Sequence, residues 1–454
     1  MTVRCELEFG TERLPLDLPH GAELLSLPPD PALADPAAAI REGLAAPIGT
    51  APLSQLAREK RAVNPDLSAA IVVSDNTRPV PYRGESGILE PVLDVLEQEN
   101  VERISILVAT GTHREMSEAE LRAMLPESAF AGGIEVINHR CDDRDSLREL
   151  GKTARGTDVW IDSHYLDADL KILTGFVEPH FMAGASGGGK SICPGLVGSE
   201  VMSVFHGAEM MGDERCSSLV IAGNPSQAEA REVAQMAGVD FILNVTLNGE
   251  KQVTGVFAGE LLAAHNAAIA RLMKTAAVYI DREYDLVVTH SGFVGINHYQ
   301  SAKAATEAAR ALRPGGSMIV AANNTDVDPV GSGHYRSTLK LLRELGPAKF
   351  TARILSAQWK FVFEQWQVQM WARALTRLDP AGELTYCAPQ LAAFDFEAEG
   401  IPGINGCAGI PGDSPAEVAR AAVQKSIDGF AAANPGASVA VLLDGPYGVP
   451  ILKR

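Results

Sequence analysis

The sequence predicts an α/β fold of two lobes, each a mostly parallel sheet flanked by helices, with the active site in the interlobe cleft. Three observations carry this. Short apolar runs of strand type alternate with helical patterns along most of the chain, the order that builds parallel sheets covered on both faces. At 454 residues the chain exceeds one comfortable domain. Polar turns bearing glycine or histidine follow several predicted strands, and open α/β sheets bind ligands beyond the carboxyl ends of their strands. A cleft between two such lobes is a favoured place for a ligand.

The elements follow in order. The Ala- and Pro-rich stretch 28–36 reads as a loop entering a helix. Residues 69–74 (AAIVVS) predict a strand and 88–98 a helix; 103–109 (RISILVA) is the next strand. A helix over 117–124 opens with Ser117-x-x-Glu120, a capping-box pattern. Residues 168–174 (ADLKILT) form a further strand. In the second half, 285–289 (DLVVT) and 317–321 (SMIVA) are strands around an alanine-rich helix at 301–312, with Pro314-Gly315-Gly316 as the break. A helix at 415–432 and a strand at 438–443 close the chain. The lobe boundary is placed after the helix 261–273. Residues 1–275 are then an N-terminal domain and 276–454 a C-terminal one, whose last segment could pack back on the first.

Composition excludes several classes. The net charge of -18 repels phosphate backbones, so nucleic acid is not an expected partner. No apolar run approaches the roughly 20 residues that span a bilayer, and the opening MTVRCELEFGTERLPL has no apolar core of a signal peptide. The six cysteines are spread without a C-x-x-C pair, which fits a reducing cytosol. A cytoplasmic protein is the expectation. An anionic small substrate remains compatible with this charge if its pocket is locally basic.

The turns after the strands hold the chemistry. Asp75-Asn76-Thr77-Arg78-Pro79 follows the first, and Thr110-Gly111-Thr112-His113-Arg114 the second. After the third come Glu178-Pro179-His180 and the run Gly184-Ala185-Ser186-Gly187-Gly188-Gly189-Lys190-Ser191. Phe205-His206-Gly207 lies sixteen residues after Lys190. A neutral imidazole is a first-row metal ligand, and its reference pKa of about 6.5 suits a general base. His113, His180 and His206 could supply both roles. Gly184 to Ser191 also fits the G-x-x-x-x-G-K-[ST] pattern of phosphate-binding loops, but nine residues separate it from its strand, where a true P-loop follows at once. Three consecutive glycines cost backbone entropy; close approach to a phosphate-bearing cofactor is the reading we favour.

At these residues the chain resembles the lactate racemase superfamily, which uses the nickel-pincer nucleotide. The resemblance runs from about Asp75 to Lys360 through DNTRP, TGTHRE, EPH, SGGGK, FHG, YQSAK and QWK, each weak alone and specific in combination. It implies a covalently bound cofactor, nickel pyridinium-3,5-bisthiocarboxylic acid mononucleotide, joined to Lys190 through a thioamide. His206, with Lys190, would serve the metal, and Asp75, Thr110, Gly111, Gly187, Gly188 and Gly189 would surround the cofactor. His113 and His180 match the acid/base pair. Arg78 and Lys303 match the substrate-carboxylate contacts, with Tyr299, Gln300 and Trp359 lining the pocket.

The implied reaction is inversion at C2 of a small 2-hydroxy acid, lactate- or malate-like. Hydride transfer avoids ionising a very weak carbon acid beside a carboxylate. One histidine takes the hydroxyl proton and the second returns it, each contributing typically about 10²–10⁴-fold. Cofactor-biosynthesis proteins are implied partners. A dicarboxylate would ask for one more cation, and Arg83, Arg114 or Lys360 could serve. His298, beside Tyr299, has no assigned role, and FVFEQWQVQMW reads as an amphipathic core helix. The competing functions are a P-loop-type ATP-dependent phosphotransferase and a non-catalytic cofactor-binding homologue.

Overall fold

The computed structural model describes residues 3–453. The chain divides into two compact units, neither a single stretch of sequence. One comprises Pro29–Phe205 and Arg215–Thr275; the other takes the chain up to Pro28, His206–Glu214, and everything from Ala276 onward.

The first unit is built on a six-stranded sheet. From edge to edge its strands are Val253–Gly259, Phe241–Leu247, Leu170–Phe176, Ser68–Ser74, Arg103–Ala109 and Glu135–Asn138. All neighbours run parallel except the first pair. Ser68–Ser74 lies inside the sheet, and its Ala69–Val73 run is apolar on both faces because helices cover both. The predicted strand at 168–174 starts two residues late, at Leu170. Asp169 is diverted before it: its carboxylate accepts from the Ser68 amide and hydroxyl and from Asn64. Ser117 and Glu120 form the capping box that their spacing predicts.

The second unit carries an all-parallel six-stranded sheet: Ile404–Asn405, Leu384–Cys387, Leu312–Ala321, Tyr284–His290, Val439–Leu442 and Glu23–Leu25. Assigning residues 1–28 to the first domain needs correction, because Glu23–Leu25 pairs with Val439–Leu442. The hairpin Val3–Phe9/Glu12–Leu18 buries Leu7, Phe9, Leu14, Leu16 and Leu18 in one core with Ala419, Ala422, Val423 and Ile427 of helix Pro415–Ala433. Its period-2 alternation marks a half-buried hairpin, but says nothing of which helix covers it. Pro314-Gly315-Gly316 is not a break between elements. It lies inside Leu312–Ala321 as an irregularity, where register shifts from Tyr284↔Leu312 to Leu286↔Ser317.

Among the described residues no helix is long and apolar enough to cross a membrane, and the six cysteines are all free. The hairpin assignment has a measurable consequence. Leu14→Ala, at a fully buried position, should destabilise the second unit by about 2–5 kcal/mol, read from its urea-unfolding transition. A change under about 0.5 kcal/mol, the surface level, would place the hairpin outside the core.

Candidate active site

The carboxyl ends of three adjacent strands, Leu170–Phe176, Ser68–Ser74 and Arg103–Ala109, bring the first unit's candidates to one end of its sheet. Asp75 is buried at the end of its strand. Its Oδ1 accepts from the Thr77 hydroxyl at 2.6 Å and amide at 3.2 Å, and its Oδ2 lies 2.6 Å from His113 Nδ1. Burial raises the Asp75 carboxyl, but the bond and charge of His113, with Thr77 and Arg78, more than reverse that and hold it below the usual range. Asp75 is thus ionised and can only accept. Arg78 Nε lies 3.5 Å from Glu178 Oε1, a pairing that the sequence reading missed.

The second turn is pinned on two sides. The Thr110 hydroxyl donates to the His139 carbonyl at 2.7 Å, and the Gly111 amide donates to the Gly195 carbonyl at 3.0 Å. Gly111 has φ +57°, and a Cβ there would sit 3.0 Å from the Pro194 carbonyl oxygen. Arg114 is engaged elsewhere, donating twice to Glu120, and Arg83 donates to the Arg122 and Ala123 carbonyls. Both therefore brace the protein, and Lys360 is exposed.

His180 lies in a two-residue-per-strand hairpin, Pro179–His180 against Gly184–Ala185. Its buried ring accepts at Nδ1 from the amides of Met182 and Ala183, at 3.3 and 3.1 Å. The glycine run then turns with φ +75° at Gly187 and +52° at Gly188. A Cβ would lie 2.8 Å from Val177 at Gly187, 2.6 Å from the His265 ring at Gly188, and 2.7 Å from the Ala230 carbonyl at Gly189. Asn244 Oδ1 accepts from the Gly188 amide at 2.9 Å. Packing against the protein itself accounts for these glycines, where the sequence reading invoked a cofactor alone. The loop ends in a single 3₁₀ turn, Gly188–Ser191, and a hairpin separates it from its strand. The strand–loop–helix that cradles phosphate in a P-loop is therefore not formed, which removes the support for the phosphotransferase reading.

Lys190, at the end of that loop, sits with its Nζ 5.2 Å from the centre of the Phe205 ring. Burial, and next the positive charge of Arg78, bring its ammonium down to about 8 against the opposing charges of Cys193 and Glu178. A large share of this amine is neutral near pH 8, unlike an ordinary surface lysine at about 10.4.

The remaining candidates belong to the second unit. His206 stacks on Trp366 at 4.5 Å between centroids. Trp366 in turn donates to the Tyr299 hydroxyl at 3.0 Å, and Gln367 donates to the Tyr299 carbonyl at 3.1 Å. Trp359 donates to Gln365 Oε1 at 2.9 Å. Helix Gln365–Leu378 also holds the segment bearing His206, through Gln369 to the Ala208 carbonyl and Arg373 to those of Met211 and Asp213. Gln300 and Lys303 lie on helix His298–Ala308, capped by Asn297, and both are half-buried. His298 is fully buried, stacked on Trp371 at 4.6 Å and bonded to the Tyr335 hydroxyl at 2.7 Å; burial lowers it to about 3. It is a neutral core residue.

The chain's start-to-middle region, residues 9–218, matches the family model of the lactate racemase N-terminal domain. The lactate racemase of Thermoanaerobacterium thermosaccharolyticum is 31% identical over 340 residues, 74% of this chain and 76% of that one. The chain belongs to the lactate racemase family. It is an isomerase of the racemase type. The Lactiplantibacillus plantarum lactate racemase is likewise 31% identical, over 345 residues, 74% of this chain and 77% of its own. The structure of the T. thermosaccharolyticum lactate racemase apoprotein superposes with a TM-score of 0.82 at 25% identity, covering 99% of this chain and all of that one. A Thermotoga maritima protein shares the fold alone, at a TM-score of 0.61 and 17% identity, covering 89% of this chain and 100% of its own.

Membership in the family gives separate interest to residues that no motif singled out. Phe205 under the Lys190 amine, Glu178 against Arg78, and Trp366 against His206 are all contacts across sequence separations that local reading does not reach. Glu178 and Phe205 did stand inside quoted motifs, EPH and FHG, as unassigned neighbours. The lysine makes a direct prediction. Acylation by an amine-selective reagent, followed residue by residue by mass spectrometry, should reach half its limiting rate at Lys190 near pH 8. A half-limiting rate reached only near the ordinary lysine value of about 10.4 would remove the special environment of Lys190.

Proposed function

We propose that this chain inverts C2 of a small 2-hydroxy acid, with a nickel-pincer nucleotide tethered to Lys190 and with His113 and His180 handling the hydroxyl proton. The observation that carries this reading is the Lys190 amine, held near pH 8 at the end of a loop packed under the same strand ends that present Asp75, His113 and His180. A tether of this kind needs a neutral, nucleophilic amine in a protected place, and Lys190 fits.

The residues fit the group in other respects. Among the described residues no three His, Cys, Asp or Glu side chains gather as a metal cage, and a pincer brings its own donor atoms, asking the protein for a single imidazole. His206 is the imidazole proposed for that role. Thr110 and Gly111 are proposed to border the cofactor, as are Gly187, Gly188 and Gly189. When bound, the group supplies a hydride acceptor for the hydrogen on C2, so that no carbanion forms beside the carboxylate. The chain's own residues do the rest. Arg78 is proposed to take the substrate carboxylate, a match of planar fork to carboxylate, and Glu178 beside it holds the guanidinium in place. Tyr299, Gln300, Lys303 and Trp359 are proposed as further substrate contacts. The curated relatives are lactate racemases, which supports lactate first among substrates. Cofactor-biosynthesis proteins are the implied partners and the cytoplasm the implied compartment.

Intact-mass and metal measurements test this on protein co-expressed with the cofactor-building enzymes. The expected result is a mass increment of several hundred daltons on the Lys190 peptide, accompanied by nickel, and lost in Lys190→Ala. An unmodified, nickel-free chain under those conditions would sink the proposal. On the loaded protein, His113→Ala and His180→Ala should each keep the increment and lose about 10²–10⁴-fold in kcat with lactate; near-normal turnover in either would withdraw that residue from the mechanism.

A further inference from the structure

Three of the residues proposed above for substrate or metal, Trp359, Tyr299 and His206, all touch the first turn of one helix, Gln365–Leu378. Gln365 Oε1 accepts from the Trp359 indole at 2.9 Å and from the Val362 amide at 2.8 Å. Gln367 Nε2 donates to the Tyr299 carbonyl at 3.1 Å. Trp366, between them, is buried and makes two contacts at once. Its ring stacks on His206 with 4.5 Å between centroids and 21° between planes, and its Nε1–H donates to the Tyr299 hydroxyl at 3.0 Å. Phe361, near-parallel at 6.2 Å, and Phe363, edge-on at 5.2 Å, pack against the same indole. Glu364, which opens the helix, has φ +65°, a left-handed backbone that a residue with a side chain seldom adopts. Strain of this kind gathers where a neighbouring group has to be aimed.

An indole N–H can only donate, so the Tyr299 oxygen accepts from Trp366. Burial, with the charge of Glu364 next in weight, pushes the Tyr299 phenol well above its ordinary value, and it keeps its proton. Its hydroxyl has no other hydrogen-bond partner among the described residues. With the indole on its oxygen, Tyr299 has its O–H left to give.

Resting on the reaction proposed above, we propose that Trp366 is a positioning residue: its N–H makes the Tyr299 hydroxyl a donor to a substrate oxygen, and its ring face sets the plane of the His206 imidazole. A donor is the sense that the carboxylate, hydroxyl or carbonyl oxygens of a 2-hydroxy acid and its keto form can accept. The lone pair of an imidazole nitrogen lies in the plane of its ring, so a stacked indole fixes the direction along which that nitrogen meets a metal. The same helix holds the backbone on either side of this contact, through Gln369 to the Ala208 carbonyl and Arg373 to that of Met211.

Three measurements test the inference. The chain has four tryptophans, so ¹H–¹⁵N spectra of the apoprotein hold few indole signals, and Trp366→Phe assigns the one from Trp366. Tyr299→Phe should move that signal towards the position of an unbonded indole and speed its hydrogen exchange; an unmoved signal with unchanged exchange would overturn the inference. On the loaded enzyme a double-mutant cycle separates positioning from packing. Trp366→Phe keeps an aromatic face without the N–H, and should lower kcat with lactate about three- to tenfold in the parent but less than about twofold in Tyr299→Phe. Equal losses in both backgrounds would make Trp366 a packing residue only. Nickel loss to excess EDTA reads the contact with His206. Trp366→Phe should release nickel at the parent's rate, and Trp366→Leu, apolar but without a ring face, about tenfold faster or more; Trp366→Met serves if the leucine variant does not fold. Phenylalanine and aliphatic variants that release nickel alike would overturn the role assigned to the ring. No turnover by the parent with any 2-hydroxy acid would instead overturn the reaction proposed above, with the indole bond standing as measured in the apoprotein.

Discussion

Close packing beneath Gly187, Gly188 and Gly189 is the constraint on which the first unit's site depends. Val177 and Asn244 occupy the volume where a Cβ at Gly187 would stand, the His265 ring that at Gly188, and the Ala230 carbonyl that at Gly189. Because the backbone is pressed against that floor, the loop cannot rise into solvent, and Lys190 at its end is drawn out of water. Desolvation then does to its ammonium what burial does to any isolated cation. His265 belongs to the same floor. It donates from Nε2 to the Ser186 carbonyl at 2.9 Å, and burial lowers it to about 4, so it adds no charge under the loop.

The same end of the sheet gives one residue type two kinds of partner. His113 meets an ionised side chain, and His180 meets two main-chain amides. Neither partner can change its hydrogen-bonding sense, so Nδ1 donates in His113 and accepts in His180. The difference is set by backbone course: one histidine ends a turn after a strand, and the other sits where a hairpin folds its own following amides back onto the ring.

Much of the architecture was legible in the chain. Burial on both faces makes parallel strands continuous apolar runs, so 69–74 and 103–109 could be placed almost to the residue, and Ser117 with Glu120 announced a capping box that is present. Helix Gln365–Leu378 was read as an amphipathic core helix. It is buried over Gln365–Ala372, and its glutamines satisfy carbonyls of neighbouring segments. Placement in three dimensions was less legible. The hairpin at the start of the chain has an apolar face but no mark of its destination, and it joins the unit formed from the last third.

By itself the sequence determined the α/β class, the succession of strand-end turns, and the family, because periodicity and short motifs are local properties that survive without knowledge of contacts. Only the tertiary structure decided which groups face one another: Asp75 rather than solvent behind His113, Glu178 beside Arg78, Phe205 beneath Lys190, and His298 in an aromatic core instead of a pocket. Those pairings join residues 15 to 100 positions apart. Hydrogen-bond sense and desolvation depend on distances of a few ångströms, and no spacing along a chain encodes them.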